Sequence, residues 1–348
     1  MSETVMSYNA AVKTNKSGHG KLYDVIVSRS FAVLIVLLFH CYGMMYADAH
    51  FPETVSMYKD LYYNFNQCFL INLAMPLFVF ISGYLFRYLI QIGKYPTWGN
   101  LLHKKGLRIL LPYFVFGLFF MATTGNWHPL QLLQHYWHLW FLPMLFWCFV
   151  VGYGLSRIKL RPYMEIALLI VTFLGLIIPE FLPRWFGLNS LTTWFYWFYF
   201  GGLVCKYKGI LFNYIAKYKL CIPLLFVYGI VTYMFPVGYV AKEWYSGLAV
   251  TICLLSVTYL INKVDWEHLK VTPMIERLSD CSFGIYIWHY WVALMLFSST
   301  SKQLLGLSEL ASNHVLLFPL CFSLITLLVS LFLSWSMMKT RIGKFLIG

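Results

Sequence analysis

Charge is scarce in this chain. Of 348 residues only 11% are charged, 13 of them acidic, while 60% are hydrophobic. That balance excludes an ordinary soluble domain. A cleavable signal peptide is also missing. Residues 1–22 are polar and weakly basic, with Lys13, Lys16 and Lys21, and read as a flexible cytosolic tail. No two cysteines are spaced as CxxC, and the eight present are dispersed through apolar segments. Buried free thiols therefore fit better than disulfides or a metal site. Internal repeats, low-complexity linkers and a second domain are absent too, so residues 23–348 read as a single transmembrane domain.

Long apolar runs fill the chain instead. They fall at about 24–46, 67–90, 106–124, 139–156, 163–179, 192–206, 219–235, 244–262, 281–299 and 315–338. The fold expected is all-α: a polytopic membrane protein with about ten transmembrane helices in one bundle. With the N-terminus inside, 22 of the 26 Lys and Arg residues fall on one side. Only Lys59, Arg184, Lys242 and Lys302 fall on the other. The positive-inside rule then places both termini in the cytosol, and the membrane expected is the plasma (inner) membrane. It also accounts for the formal charge of +13 without nucleic acid as a partner.

The first run, VIVSRSFAVLIVLLFHCYGMMY from Val25 to Tyr46, carries Arg29 and His40. Ionisable groups inside such a run are costly and point to function. Eleven residues return to nearly the same helix face, about 16 Å further along the axis. Both side chains are expected in one groove, with His40 at or beyond the membrane midplane. A desolvated neutral imidazole suits general-base work on a hydroxyl. The structural alternative has Arg29 snorkelling to headgroups and His40 bonding a neighbouring helix.

Four further clusters stand out. His103, Lys104, Lys105 and Arg108 occupy an inner loop before Leu111-Pro112-Tyr113. They can cradle cofactor phosphates, with a helix N-terminus assisting, or they serve topology alone. Ser82-Gly83 lies within FVFISGYL and can simply permit close helix packing. His138 and Trp140 open HLWFLP, where an outward loop enters the fourth run. His128, His135 and His138 can in principle ligate a metal, but no carboxylate or cysteine accompanies them, and no metal is expected. Tyr286 and His289 lie in SFGIYIWH on the ninth run, where His289 is expected to approach His40 in depth or else to pack in the core. Seven consecutive aromatics, Trp194 to Phe200, read mainly as an interfacial belt or lipid-facing packing, and less readily as a sugar-stacking platform. The outward connections 47–66, which is acidic, and 125–138, which is aromatic and free of Lys and Arg, are candidates for an acceptor entrance.

Arg-x10-His on the first run, FVFISGYL on the second, KKxxRxLxPY before the third, HLWFLPML at the fourth and SFGIYxxH on the ninth together resemble the membrane acyltransferases called acyltransferase family three. The resemblance covers about residues 22–340, with the motifs in the family's order. It implies an acyl-CoA-dependent enzyme, usually using acetyl-CoA from the cytosol as co-substrate. The acceptor would be a hydroxyl of a cell-surface or lipid-linked glycan. Carried over residue by residue, His40 would be the catalytic base and Arg29 its partner. Lys104, Lys105 and Arg108 would meet the CoA end. Ser82, His138, Trp140, Tyr286 and His289 would support them. The soluble esterase-like domain that some members append is not among these residues. Two other classes remain open: a transporter or flippase for an envelope polysaccharide, and a structural subunit of an envelope synthesis complex. Transporters often show internal repeats and Gly/Pro-broken helix pairs, and neither is clear here. Membrane lipid is the remaining expected partner.

Overall fold

The computed structural model describes residues 21–47, 70–134, 136–178, 182–234, 244–297, 306–314 and 317–348. All regular structure among them is helical. α1 (Tyr23–Ala47) begins at Asp24, whose carboxylate accepts the Val25 N–H at 3.0 Å, a favourable charge for a helix start. α2 spans Ile71–Gln91. α3 (Trp98–Lys105) is capped by Thr97, whose hydroxyl oxygen accepts the Asn100 N–H at 3.2 Å. A π-helical turn, Gly106–Leu110, joins α3 to α4 (Leu111–Thr124). Gly125, with φ of 70°, takes the left-handed conformation that ends α4. Two short 3-10 turns, Pro129–Leu133 and Trp137–Trp140, lead into α5 (Phe141–Ser156). Then follow α6 (Pro162–Ile177), α7 (Leu191–Lys217), α8 (Cys221–Met234) and α9 (Trp244–Lys263). α10 (Thr272–Leu296), α11 (Leu307–Asn313), α12 (Leu317–Met338) and α13 (Arg341–Ile347) complete the chain.

A helix occupies each of the ten expected segments, but six helical runs are long and apolar enough to cross a membrane by themselves. The count is seven if α7 and α8, bent by 89°, form one span. α6 falls short because it has only 16 residues, and α10 carries Glu276, Arg277, Asp280 and His289. Ile222, Leu324 and Ile170 expose more than half of their surface. Outward apolar faces of that kind need lipid as their solvent. The chain is an all-helical polytopic membrane protein.

The closest helix contact is between α2 and α7. A Cβ on Gly83 would fall 1.9 Å from the Phe198 carbonyl oxygen, and one on Gly201 would fall 2.0 Å from that of Phe80. Glycine lets the two backbones touch. This contact corrects the reading of the aromatic run. Trp194, Phe195, Tyr196, Trp197, Phe198 and Phe200 are all buried, so they form core rather than a belt facing lipid. α7 is held on several sides, by α2, α5, α6 and α9, and none of its residues 191–208 is exposed.

One end of the bundle is tied by ions. The Asp24 carboxylate accepts from Lys208 Nζ at 2.8 Å and from the Tyr84 hydroxyl at 2.5 Å, linking α1, α7 and α2. Lys206 bridges to Glu165 of α6 at 2.6 Å. Arg29, one and a half turns after Asp24, belongs to this same end. Of the described cysteines, Cys321 is exposed and the other six are buried without a disulfide; Cys68 lies outside the described residues.

Candidate functional site

A cavity of about 630 Å³ opens at the ion-tied end, between α1, α2, the α3–α4 helix, α5, α10 and α13. Its volume falls in the range of small-molecule sites. Four cations line it: Arg29, Lys105, Arg108 and Lys344. Asp280 is the side-chain carboxylate in its wall. Further in, the walls are apolar, with Ile81, Leu85, Leu142 and Leu145, interrupted by Ser82. Phe78, Phe141 and Tyr286 also line it, and their rings pack together at 5.5 to 6.1 Å. The Ser82 hydroxyl donates to its own helix, to the Phe78 carbonyl at 2.8 Å.

The basic cluster is placed differently from the sequence expectation. Lys104, Lys105 and Arg108 are not on a loop. α3 continues through the π turn into α4, and the Leu111 N–H donates to the Gly106 carbonyl. Those amides are engaged within the helix, so no free N-terminus is left to assist an anion there. π turns inside helices often mark functional positions, and this one carries Arg108. The cluster also divides. Lys105 and Arg108 line the cavity, with Lys105 Nζ 3.5 Å from the Phe149 ring centroid. Lys104 is not in the lining; its Nζ donates to the Lys94 carbonyl at 3.5 Å.

Beyond Tyr286 lie three imidazoles. His40 of α1 is 5.1 Å from His289 of α10 and 6.4 Å from His138, between ring centroids. His138 and His289 are 5.3 Å apart. Tyr290 closes the group, 4.9 Å from His40 and 5.1 Å from His138. Two tautomers are set by carbonyls, which only accept. His138 Nε2 lies 2.9 Å from the Ile287 carbonyl oxygen and must donate to it. His289 Nδ1 lies 2.7 Å from the Tyr286 carbonyl oxygen and must donate to it. His138 Nδ1 and His289 Nε2 are thereby left as buried lone pairs with no partner among the described residues. Such atoms are rare in folded proteins and call for an explanation. His40 has no hydrogen bond among the described residues. The expectation that Arg29 and His40 share one groove is met only in part: Arg29 lines the cavity, whereas His40 lies past the aromatic wall.

The turn before α5 brings His138 in. Trp137 has φ of 42°, a strained conformation for a tryptophan. His138 is buried, and the Tyr286 hydroxyl donates to its carbonyl. The His138 ring and its backbone are thus both pinned to α10. Trp137 stacks on Tyr136 at 5.1 Å and meets Tyr290 at 5.9 Å. Trp140 turns away and packs on Trp194 of α7 at 5.5 Å. No group of three or more His, Cys, Asp or Glu among the described residues is placed to hold a metal ion. His135 and residues 48–69, with most of the first outward connection, lie outside the described residues.

Sequence reasoning missed Asp280, Tyr290 and Lys344. Asp280 is an acidic residue at the basic end of a span, and that was a usable signal. Lys344 follows the last span among other cations and had none.

No curated protein matches the chain, and neither does any solved structure. A family model described as an acyltransferase domain matches residues 22–337, nearly the whole chain, and the protein belongs to acyltransferase family three.

Proposed function

We propose that the protein is an integral membrane O-acyltransferase that moves an acetyl group from cytosolic acetyl-CoA to a hydroxyl of a cell-surface or lipid-linked glycan. One observation carries this reading. A cavity with a cationic mouth narrows to an aromatic wall, and a histidine cluster with two bare lone pairs lies behind it. Phosphates suit Arg29, Lys105, Arg108 and Lys344. A pantetheine arm suits the apolar walls with their few hydroxyls. With ten spans and both termini inside, the cationic mouth faces the cytosol, where acyl-CoA is found.

In the step proposed, the acceptor oxygen bonds to the thioester carbonyl carbon as His40 takes its proton. The carbon–sulfur bond breaks, and the departing thiolate recovers that proton from His40. The His40 and His289 rings are neighbours, with centroids 5.1 Å apart and no hydrogen bond between them at rest. As His40 becomes an imidazolium it gains a second N–H, and the His289 lone pair can accept it. His138 holds the far side. The acceptor approaches past Trp137 and Tyr290, on the side away from the cations. Transfer through a transient acyl-histidine uses the same groups.

The test is acetyl-CoA-dependent release of free thiol by purified protein, set beside the mass of the surface glycan in a deletion strain. Thiol release, with one acetyl mass missing per modified sugar in the deletion strain, is the expected result. An unchanged glycan would remove the glycan acceptor. Glycan lost from the surface rather than unacetylated would favour the transporter.

A further inference from the structure

A second cavity of about 330 Å³ lies at the same end of the bundle, between α2, α5, α6 and α7. It shares only Phe86 with the first, and that ring packs on Phe149 on one side and Phe198 on the other. The acyl-transfer step proposed above makes no use of it.

Its polar groups are strongly unbalanced. Arg87, Lys159 and Lys206 line it, against a single carboxylate, Glu165. Glu165 is already engaged. Lys206 donates to its two oxygens at 2.6 and 2.7 Å, and the Tyr207 hydroxyl donates at 2.6 Å. Arg87 and Lys159 therefore have no carboxylate partner among the described residues. The Arg87 Nε is buried and makes no hydrogen bond among the described residues. A desolvated guanidinium nitrogen without an acceptor is costly, and an anion in the cavity would relieve that cost.

The remaining walls are apolar: Phe86, Ile90, Leu155 and Leu203. Two glycines lie in its wall, and the missing Cβ at Gly152 lets the Phe198 ring pack close. A Cβ at Gly152 would fall 2.7 Å from the Phe198 ring, and Gly202 faces the Arg87 Cβ. The depth is that of a lipid headgroup. Lys206 lies one residue before the α7 kink at Tyr207, and Lys208 just beyond it pairs with Asp24 in the first turn of α1. Glu165 is in the first turn of α6. Free phosphate would gain nothing from the apolar walls. A phosphodiester carrying acyl chains uses both halves of the site.

We propose that the cleft formed by Arg87, Lys159 and Lys206 binds the phosphate of an anionic phospholipid, with an acyl chain lying against Phe86 and Leu203. The site is separate from the donor cavity and does not depend on the acyl-transfer reading.

The experiment is native mass spectrometry of the full chain in mild detergent. The protein is incubated with phosphatidylglycerol or phosphatidylcholine, with and without CoA or inorganic phosphate as competitor. One phosphatidylglycerol is expected to stay bound per chain, with at least tenfold preference over phosphatidylcholine. Arg87→Gln should remove most of that preference. Lys159→Gln, a change at an exposed residue that leaves the fold intact, should weaken it severalfold. Arg108→Gln, in the first cavity, should leave it unchanged. Equal retention of the two lipids would overturn the proposal, and so would undiminished preference in both Arg87→Gln and Lys159→Gln. Displacement of the lipid by phosphate or CoA would also overturn it, and would reassign the cleft to a soluble anion.

Discussion

The two orphaned lone pairs give the site its chemical direction. His138 and His289 each spend their one N–H on a backbone carbonyl, so each can only accept from whatever lies between them. In the proposed step His40 is the group that gains a proton to give. This arrangement makes His289 a positioning residue with a testable signature. His289→Leu should lower kcat by about 10–100-fold, as for a lost hydrogen bond to a charged group, with donor KM little changed. His289→Gln offers an amide oxygen as acceptor and should recover a substantial part of the loss. Equal defects in the two variants would make His289 a packing residue only. As candidates, Arg29, His40, His138 and His289 were all legible in the sequence, because an ionisable group in an apolar run is conspicuous by its cost. The tautomers were not. That of His138 depends on which carbonyl α10 presents to a turn about 150 residues away, which no local pattern encodes, and that of His289 depends on how its ring turns back onto the Tyr286 carbonyl of its own helix.

At the scale of elements, glycines decide how α2 and α7 meet. Gly201→Ala would drive a methyl into the Phe80 carbonyl oxygen, so the helices must separate. A loss of about 1–3 kcal/mol is expected, read as a lower Tm of the purified protein. An unchanged Tm would mean that the contact yields freely. The sequence suggested that Ser82-Gly83 permits close packing, but the partner helix was not legible. The aromatic run was misread because hydropathy alone does not separate a central helix from one facing lipid. The basic cluster was misread in a different way. A π turn leaves no mark in composition, so KKGLRILLP looked like a loop before a helix. The cluster's division yields a sharper prediction. Lys105→Gln and Arg108→Gln should each raise the acetyl-CoA KM by about tenfold or more, the loss expected for a charge-assisted contact. Lys104→Gln should leave it nearly unchanged, because Lys104 is outside the cavity lining and its Nζ turns to the Lys94 carbonyl and the Tyr95 ring. Equal effects at Lys104 and Lys105 would mean that net charge, not position in the cavity, governs donor binding.

For the whole molecule, the orientation proposed rests on charge. The ion-tied end gathers Asp24, Lys206, Lys208 and the cationic mouth of the cavity. Single cysteines introduced at positions 10 and 345 of a cysteine-free variant should both be labelled only from the cytosol. Outside labelling of either would mean an odd number of spans and would turn the donor cavity away from acyl-CoA. The ten-segment pattern was legible because long apolar runs are the strongest signal in any sequence. The share of those segments that crosses unaided was not, since α6 and α10 depend on neighbours to cover their polar or short stretches. The account as a whole rests on one ligand reaching from the cations to the histidines, past Tyr286. The most direct test is His40→Ala, purified beside the wild type, with CoA binding and acetyl-CoA turnover measured on the same samples. The account predicts unchanged CoA affinity and turnover reduced to background. Substantial residual turnover, or loss of CoA binding together with turnover, would contradict it.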